Sequence, residues 1–123
     1  AVLIGDAAGH NDPIIGQGLS ITHRDVRLVA EVLSGGKDWS PQAFSDYVSE
    51  RRERMRRLRI LAHVVSVRDA EFGADASARR QRMYARLGSD ERALQLQMAA
   101  FIGPDPIPAS VFDSAHIDDL LSA

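Results

Sequence analysis

The sequence predicts a mostly helical chain that opens on one short strand. Three observations carry this. Apolar residues recur at helical spacing in four separate stretches. One continuously apolar run, Ala1-Val2-Leu3-Ile4, reads as a buried strand. Glycine and proline punctuate the boundaries between these stretches.

In order, Ala1-Val2-Leu3-Ile4 is the expected strand and residues 5–16 a loop. Residues 17–33 form a first helix whose apolar side carries Leu19, Val26, Leu28, Val29 and Leu33, closed by Gly35-Gly36. Ser40 caps a second helix with Pro41 in its first turn. Trp39 and Phe44 flank that start at the spacing of a hydrophobic staple. Phe44, Val48, Met55, Leu58, Ala62 and Val65 keep a helical period, so this helix runs to residue 70 or 72, roughly 45 Å. Such length suits a helix spanning two bodies, or one with a bend. A third helix covers residues 76–87. Ser89 caps a fourth over residues 90–101. The run Gly103-Pro104-Asp105-Pro106-Ile107-Pro108 reads as a stiff, extended linker, because a residue before proline is pushed out of the helical region. A short helix over residues 114–121 closes the chain. Residues 1–36 thus form a strand–loop–helix unit, and residues 37–123 a C-terminal helical region interrupted by the proline-rich linker at 103–108.

Composition narrows the function. The chain has 123 residues and a formal net charge of −2, so bulk electrostatics point to neither nucleic acid nor a membrane surface. With no cysteine there is no disulfide, thiolate zinc site or thiol nucleophile. A reducing cytoplasm is the expected compartment. No apolar run reaches the roughly 18 residues of a spanning helix, and nothing at the start has the pattern of a signal peptide.

The chemistry concentrates in Gly5-Asp6-Ala7-Ala8-Gly9-His10-Asn11-Asp12-Pro13-Ile14-Ile15-Gly16-Gln17-Gly18-Leu19-Ser20. Strand, glycine-rich loop and helix follow one another, with an aspartate at the strand end. Such an aspartate can accept from ribose-type hydroxyls. Glycines let backbone approach a ligand closely, and the helix start favours an electron-rich group.

This stretch resembles the second FAD-binding motif of flavoprotein monooxygenases related to para-hydroxybenzoate hydroxylase. Gly5, Asp6, Ala7, Ala8, Pro13, Gly16, Gln17 and Gly18 fall at the family's spacing without insertion. Gly9 and Ser20 depart from it, standing where the family often has His and Asn. Arg24-Asp25-Val26-Arg27-Leu28 resembles the helix continuation. The resemblance covers about the first third of the chain. It implies an α/β, Rossmann-like FAD-binding fold of which this chain is the C-terminal part, because the Gly-x-Gly-x-x-Gly turn that grips the ADP half of FAD is absent. The N-terminal part of the same flavoprotein is then the expected partner.

The resemblance also implies roles. Gly5, Asp6, Pro13, Gly16, Gln17, Gly18, Leu19 and Ser20 would contact FAD. Asp6 would accept from the ribityl chain, and Pro13 would lie beside the isoalloxazine ring. Backbone N–H groups at residues 16–19 would face the flavin N1 and O2 edge, stabilising negative charge there by about 0.3–2 kcal/mol. The implied activity is hydroxylation of a small, aromatic substrate, with NAD(P)H as reductant and dioxygen as oxidant. Two alternatives stand beside it. Flavin-dependent prenyl reductases often carry Gly-Asp-Ala-Ala-Gly, matching Gly9, but then Gly-Glu-Gly where this chain has Gln17. A helical interaction module without cofactor is the non-enzyme alternative.

Other residues invite a functional reading and a plain one. His10 and His23 are acid–base candidates without a carboxylate partner at suitable spacing. His63 lies near an apolar helix face and reads as packed; His116 carries no stronger signal. Asp12 either faces a site or caps the loop. The run from Arg51 to Arg59 holds six arginines in nine residues with Glu50 and Glu53 beside them. Without interleaved aromatics it reads as a solvated face, or as salt bridges to another domain, rather than a nucleic-acid patch.

Overall fold

The computed structural model describes residues 1–122. Among them are five α-helices and no strand: α1, Gly18–Gly35; α2, Ser45–Ala70; α3, Ala76–Leu87; α4, Glu91–Ile102; and α5, Ser114–Ser122. Short 3-10 turns at Gly5–Ala8, Pro13–Ile15, Pro41–Phe44 and Ala109–Phe112 join them. The mostly helical class holds; the expected strand at residues 1–4 does not. Ile4 is extended (φ −136°, ψ 163°), but a strand exists only through a partner for its N–H and C=O groups, and no described segment pairs with it. The Leu3 carbonyl instead accepts from the Tyr47 hydroxyl at 2.8 Å.

Helix α2 is the spine. Its 26 residues span about 39 Å, and its two halves serve two clusters. The C-terminal half gives Leu61 and Val64 to the main core, where Met83 of α3, Ala93, Leu96 and Ala99 of α4, Val111 and Phe112, and Ile117 and Leu120 of α5 meet. The N-terminal half sets Met55 and Leu58 against Ile21 of α1. Ile15 packs against both clusters. The helix is long because it bridges these clusters.

Several boundaries rest on different residues than expected. Asp90, not Ser89, caps α4: its Oδ1 accepts from the N–H groups of Arg92 (2.9 Å) and Ala93 (3.3 Å). Ser40 makes no side-chain cap; its N–H donates to Asp38 Oδ1 at 2.8 Å. Pro41 opens a 3-10 turn, and α2 begins only at Ser45. Trp39 remains 67% exposed, though it shares an apolar groove with Phe44. The proline-rich run is no extended linker. It folds into a turn in which Ile107 N–H donates to the Pro104 carbonyl (3.3 Å), and Ile107 enters the core. Arg57 Nη1 donates to the carbonyls of Pro104 (3.3 Å) and Ile107 (3.1 Å). No described helix is long and apolar enough to cross a membrane.

Candidate cofactor-binding loop

The loop from Ile4 to α1 is built from two short turns. The first, Gly5–Ala8, is closed by Gly9 N–H donating to the Asp6 carbonyl at 3.0 Å. In the second, Pro13–Ile15, the Asp12 carboxylate accepts from Ile14 N–H at 2.9 Å, so Asp12 is a loop cap. Gly16 (φ +66°) turns the chain in the left-handed region and donates its N–H to the Pro13 carbonyl at 2.9 Å. Helix α1 then starts. Its backbone ladder reaches Gln17 through Ile21 N–H at 2.9 Å, which leaves the N–H groups of Gly18, Leu19 and Ser20 without a partner inside the helix.

What holds this loop is an ion cluster between α1 and α2. Asp25 is fully buried. Its Oδ2 accepts from Arg51 Nε (2.8 Å) and from Gly5 N–H (2.9 Å), and its Oδ1 from Arg54 Nη2 (2.6 Å). Arg51 also donates to the carbonyls of Ala8 (3.0 Å), Gly5 (2.9 Å) and Gly9 (3.2 Å). One guanidinium thus spans the whole first turn. Arg54 is held in addition by Glu50, at 3.0 and 3.1 Å. Arg24 bridges Glu50 (2.7 Å) and Asp105, tying α1 to the proline-rich turn. Burial alone would raise the Asp25 carboxyl, but hydrogen bonds from Arg51, Arg54 and Gly5 outweigh it and hold the group below its ordinary value. Gly5 is required by its own chain: φ is +54°, and a Cβ would come 2.9 Å from Thr22 Oγ1.

Against this frame the candidate residues divide. Gly5 is buried inside the clamp, while Asp6, Pro13, Gly16, Gly18, Leu19 and Ser20 are exposed. Gln17 is half-buried, and its Nε2 donates to the Ala100 carbonyl at 3.5 Å. Gly18 differs from Gly5 in kind. Its φ is not positive, and a Cβ there would meet no atom within 4 Å. Neither conformation nor internal packing asks for a glycine at that position.

The histidines scatter. His23 is exposed on α1, and His63 is exposed on α2 rather than packed. His10 and His63 line one polar groove with Asp12 and Arg59. His116 is the buried one; burial, then the Arg92 charge, lowers its pKa.

Part of the arginine run is committed inside the chain, while Arg52 and Arg59 remain exposed, as a solvated face would have them. Arg51 and Arg54 are buried on Asp25, Arg56 donates to the Phe112 carbonyl (3.0 Å), and Arg57 stacks over the Phe112 ring at 5.3 Å. Glu53 pairs with Arg56 and Arg57, whose hydrogen bonds draw its pKa down to about 2. The clamp residues were missed, yet a signal existed. Ile21, Asp25 and Val29 share the buried stripe of α1, so an aspartate stands at an apolar position. Arg51 and Arg54 fill the gap in the apolar pattern of α2. A buried anion at one helix stripe calls for a cation on the facing one. No protein-family model, no curated protein and no solved structure matches this chain.

Proposed function

We propose that this chain supplies the second FAD-contacting segment of an FAD-dependent monooxygenase, acting on a small, aromatic substrate with NAD(P)H and dioxygen. The observation that carries the proposal is Gly18. Among the described residues neither a positive φ nor a close neighbour calls for a glycine there, whereas a ligand drawn against the first N–H groups of α1 would.

The surrounding residues fit that ligand. The exposed Asp6 carboxylate makes no hydrogen bond among the described residues and can accept from a polyol hydroxyl. Pro13 offers an edge without an N–H. The N–H groups of Gly18, Leu19 and Ser20 can donate to an electron-rich ring edge, with the helix end adding about 0.3–1 kcal/mol for a negative charge. The Arg51–Asp25–Arg54 clamp holds the turn that carries Asp6 before any ligand arrives, which lowers the ordering cost of binding. FAD, when bound, supplies the redox and oxygen-insertion chemistry; the chain's own part is to bind and orient.

The test is flavin titration of the longer protein that this proposal implies. Asp6→Ala is expected to weaken FAD by about 0.5–1.5 kcal/mol, roughly two- to twelvefold in Kd. Unchanged affinity would remove Asp6 and the assignment with it. Substrate turnover that depends on dioxygen separates the monooxygenase from a prenyl reductase.

A further inference from the structure

A second feature lies on the other side of the same loop. His10, Asn11 and Asp12 face Arg59, Ala62, His63 and Ser66 of α2 across a polar groove of about 310 Å³. Arg59, His63 and Ser66 are spaced four and three residues apart, so one helix face presents all three. We infer that this groove binds a small organic carboxylate, with Arg59 as its cation.

Arg52 and Arg59 are the arginines of α2 without a partner among the described residues, and of the two it is Arg59 that lines this groove. Arg51, Arg54, Arg56 and Arg57 all pair with carboxylates. Arg59 makes no ion pair or hydrogen bond among the described residues, although it lies against the loop. Its Nη2 sits 3.2 Å from where a Cβ on Gly9 would be. Gly9 (φ +116°) therefore leaves room for the guanidinium to lie against the backbone. The neighbouring Asn11 Nδ2 is buried and has no hydrogen-bond partner. A buried unpaired donor is costly, and Asn11 borders the same groove as Arg59. A buried amide donor without a partner and an arginine without a protein partner beside one polar groove point to an acceptor brought from outside.

The charge pattern selects the class of acceptor. A neutral ligand would leave Arg59 unpaired. Asp12 spends one carboxylate oxygen on Ile14 N–H but keeps its negative charge in the groove, which penalises a phosphate dianion more than a monoanion. A carboxylate meets the guanidinium fork with two parallel bonds. The volume lies at the small end of the range for ligand pockets, so the carboxylate belongs to a small molecule. This inference does not rest on the flavin proposal.

The experiment uses the chain without flavin, so the two readings fail separately. The labelled protein is titrated with sodium benzoate and, in parallel, sodium phosphate at constant ionic strength. Backbone amides of residues 9–12 and 59–66 and the Asn11 side-chain amide are followed by NMR. Saturable benzoate shifts confined to these groups are expected. Arg59→Gln should weaken benzoate by about tenfold or more, the worth of a charge-assisted bond. Arg52→Gln removes an equally unpaired charge from the same helix, away from the groove, and should change binding by less than about twofold. Both arginines are exposed and unbonded, so both variants should fold, which circular dichroism checks. Shifts that never saturate, equal losses in the two variants, or tighter binding of phosphate than benzoate would each overturn the inference.

Discussion

Asp25→Asn is the sharpest probe of this fold, because it removes one charge and almost no volume. In the native chain the Asp25 carboxylate is fully buried and accepts three hydrogen bonds, from Arg51, Arg54 and Gly5. Asparagine keeps a carbonyl oxygen but puts an N–H2 group where the second oxygen accepted. Where that group replaces Oδ2, the donors of Arg51 and Gly5 both face a donor, and Arg51, unlike Arg54 with Glu50, has no second carboxylate. Removing one partner of a buried ion pair costs about 3–5 kcal/mol. Against a typical total of about 5–15 kcal/mol for a domain, that is a large fraction. For a chain of this size it corresponds to a fall in Tm of roughly 10–25 °C. Urea unfolding followed by far-UV circular dichroism reads the loss directly. Glu31→Gln is the control: it breaks the exposed Arg27–Glu31 pair at 2.7 Å and should cost no more than about 0.5 kcal/mol. Hydrogen exchange adds a local readout, since Gly5 N–H loses its acceptor and should exchange faster than the amides of α4. A loss below about 1 kcal/mol in Asp25→Asn, with Gly5 still protected, would refute the view that this cluster holds the loop.

Two glycine substitutions separate scaffold from site. Gly5→Ala is expected to cost about 1–3 kcal/mol, from the positive φ and the close Thr22 hydroxyl, and thermal melting measures it. Gly18→Ala should leave stability unchanged or slightly raised, because Ala is the better helix residue by about 1 kcal/mol in a helix interior and less at its end, while lowering flavin occupancy in the longer protein; full occupancy would remove Gly18 from the site. Stability should also fall with acidity in two steps. His116 is held neutral by a lowered pKa, so below its ordinary 6.5 the unfolded chain takes up the proton first and stability declines; His116→Gln should flatten that step. Asp25 has a depressed pKa, so its stabilisation is whole above its ordinary 3.8 and is lost as pH falls through the lower folded value. Urea midpoints measured across pH 7 to 2 check both, and a flat profile would contradict them.

Much of the helical layout was legible in the residues themselves. The limits of α3 and the end of α2 follow from local signals: apolar spacing, Gly73 and Gly88. The loop's turns were equally local, since Asp12, Pro13 and Gly16 act on neighbours within a few residues. Cap identity was harder, because Ser89 and Asp90 are both competent and only the backbone path selects Asp90. The strand at residues 1–4 was misjudged for a physical reason. Apolar character records a wish to be buried, whereas a strand also needs a second edge, and no described residue provides one. The proline-rich turn was misjudged likewise, as nothing local shows that Arg57 and the core hold Ile107 in place.

By itself, the sequence determined that the chain is mostly helical, where α3 lies and where the exposed glycine-rich loop lies, because spacing and backbone freedom act over a few residues. Only the tertiary structure decided what Arg51 and Arg54 do. Their partners Asp25, Gly5, Ala8 and Gly9 lie 26 to 46 residues away. A guanidinium is equally at home in water, and packing α1 against α2 is what takes that choice away, by burying an aspartate that then requires both cations.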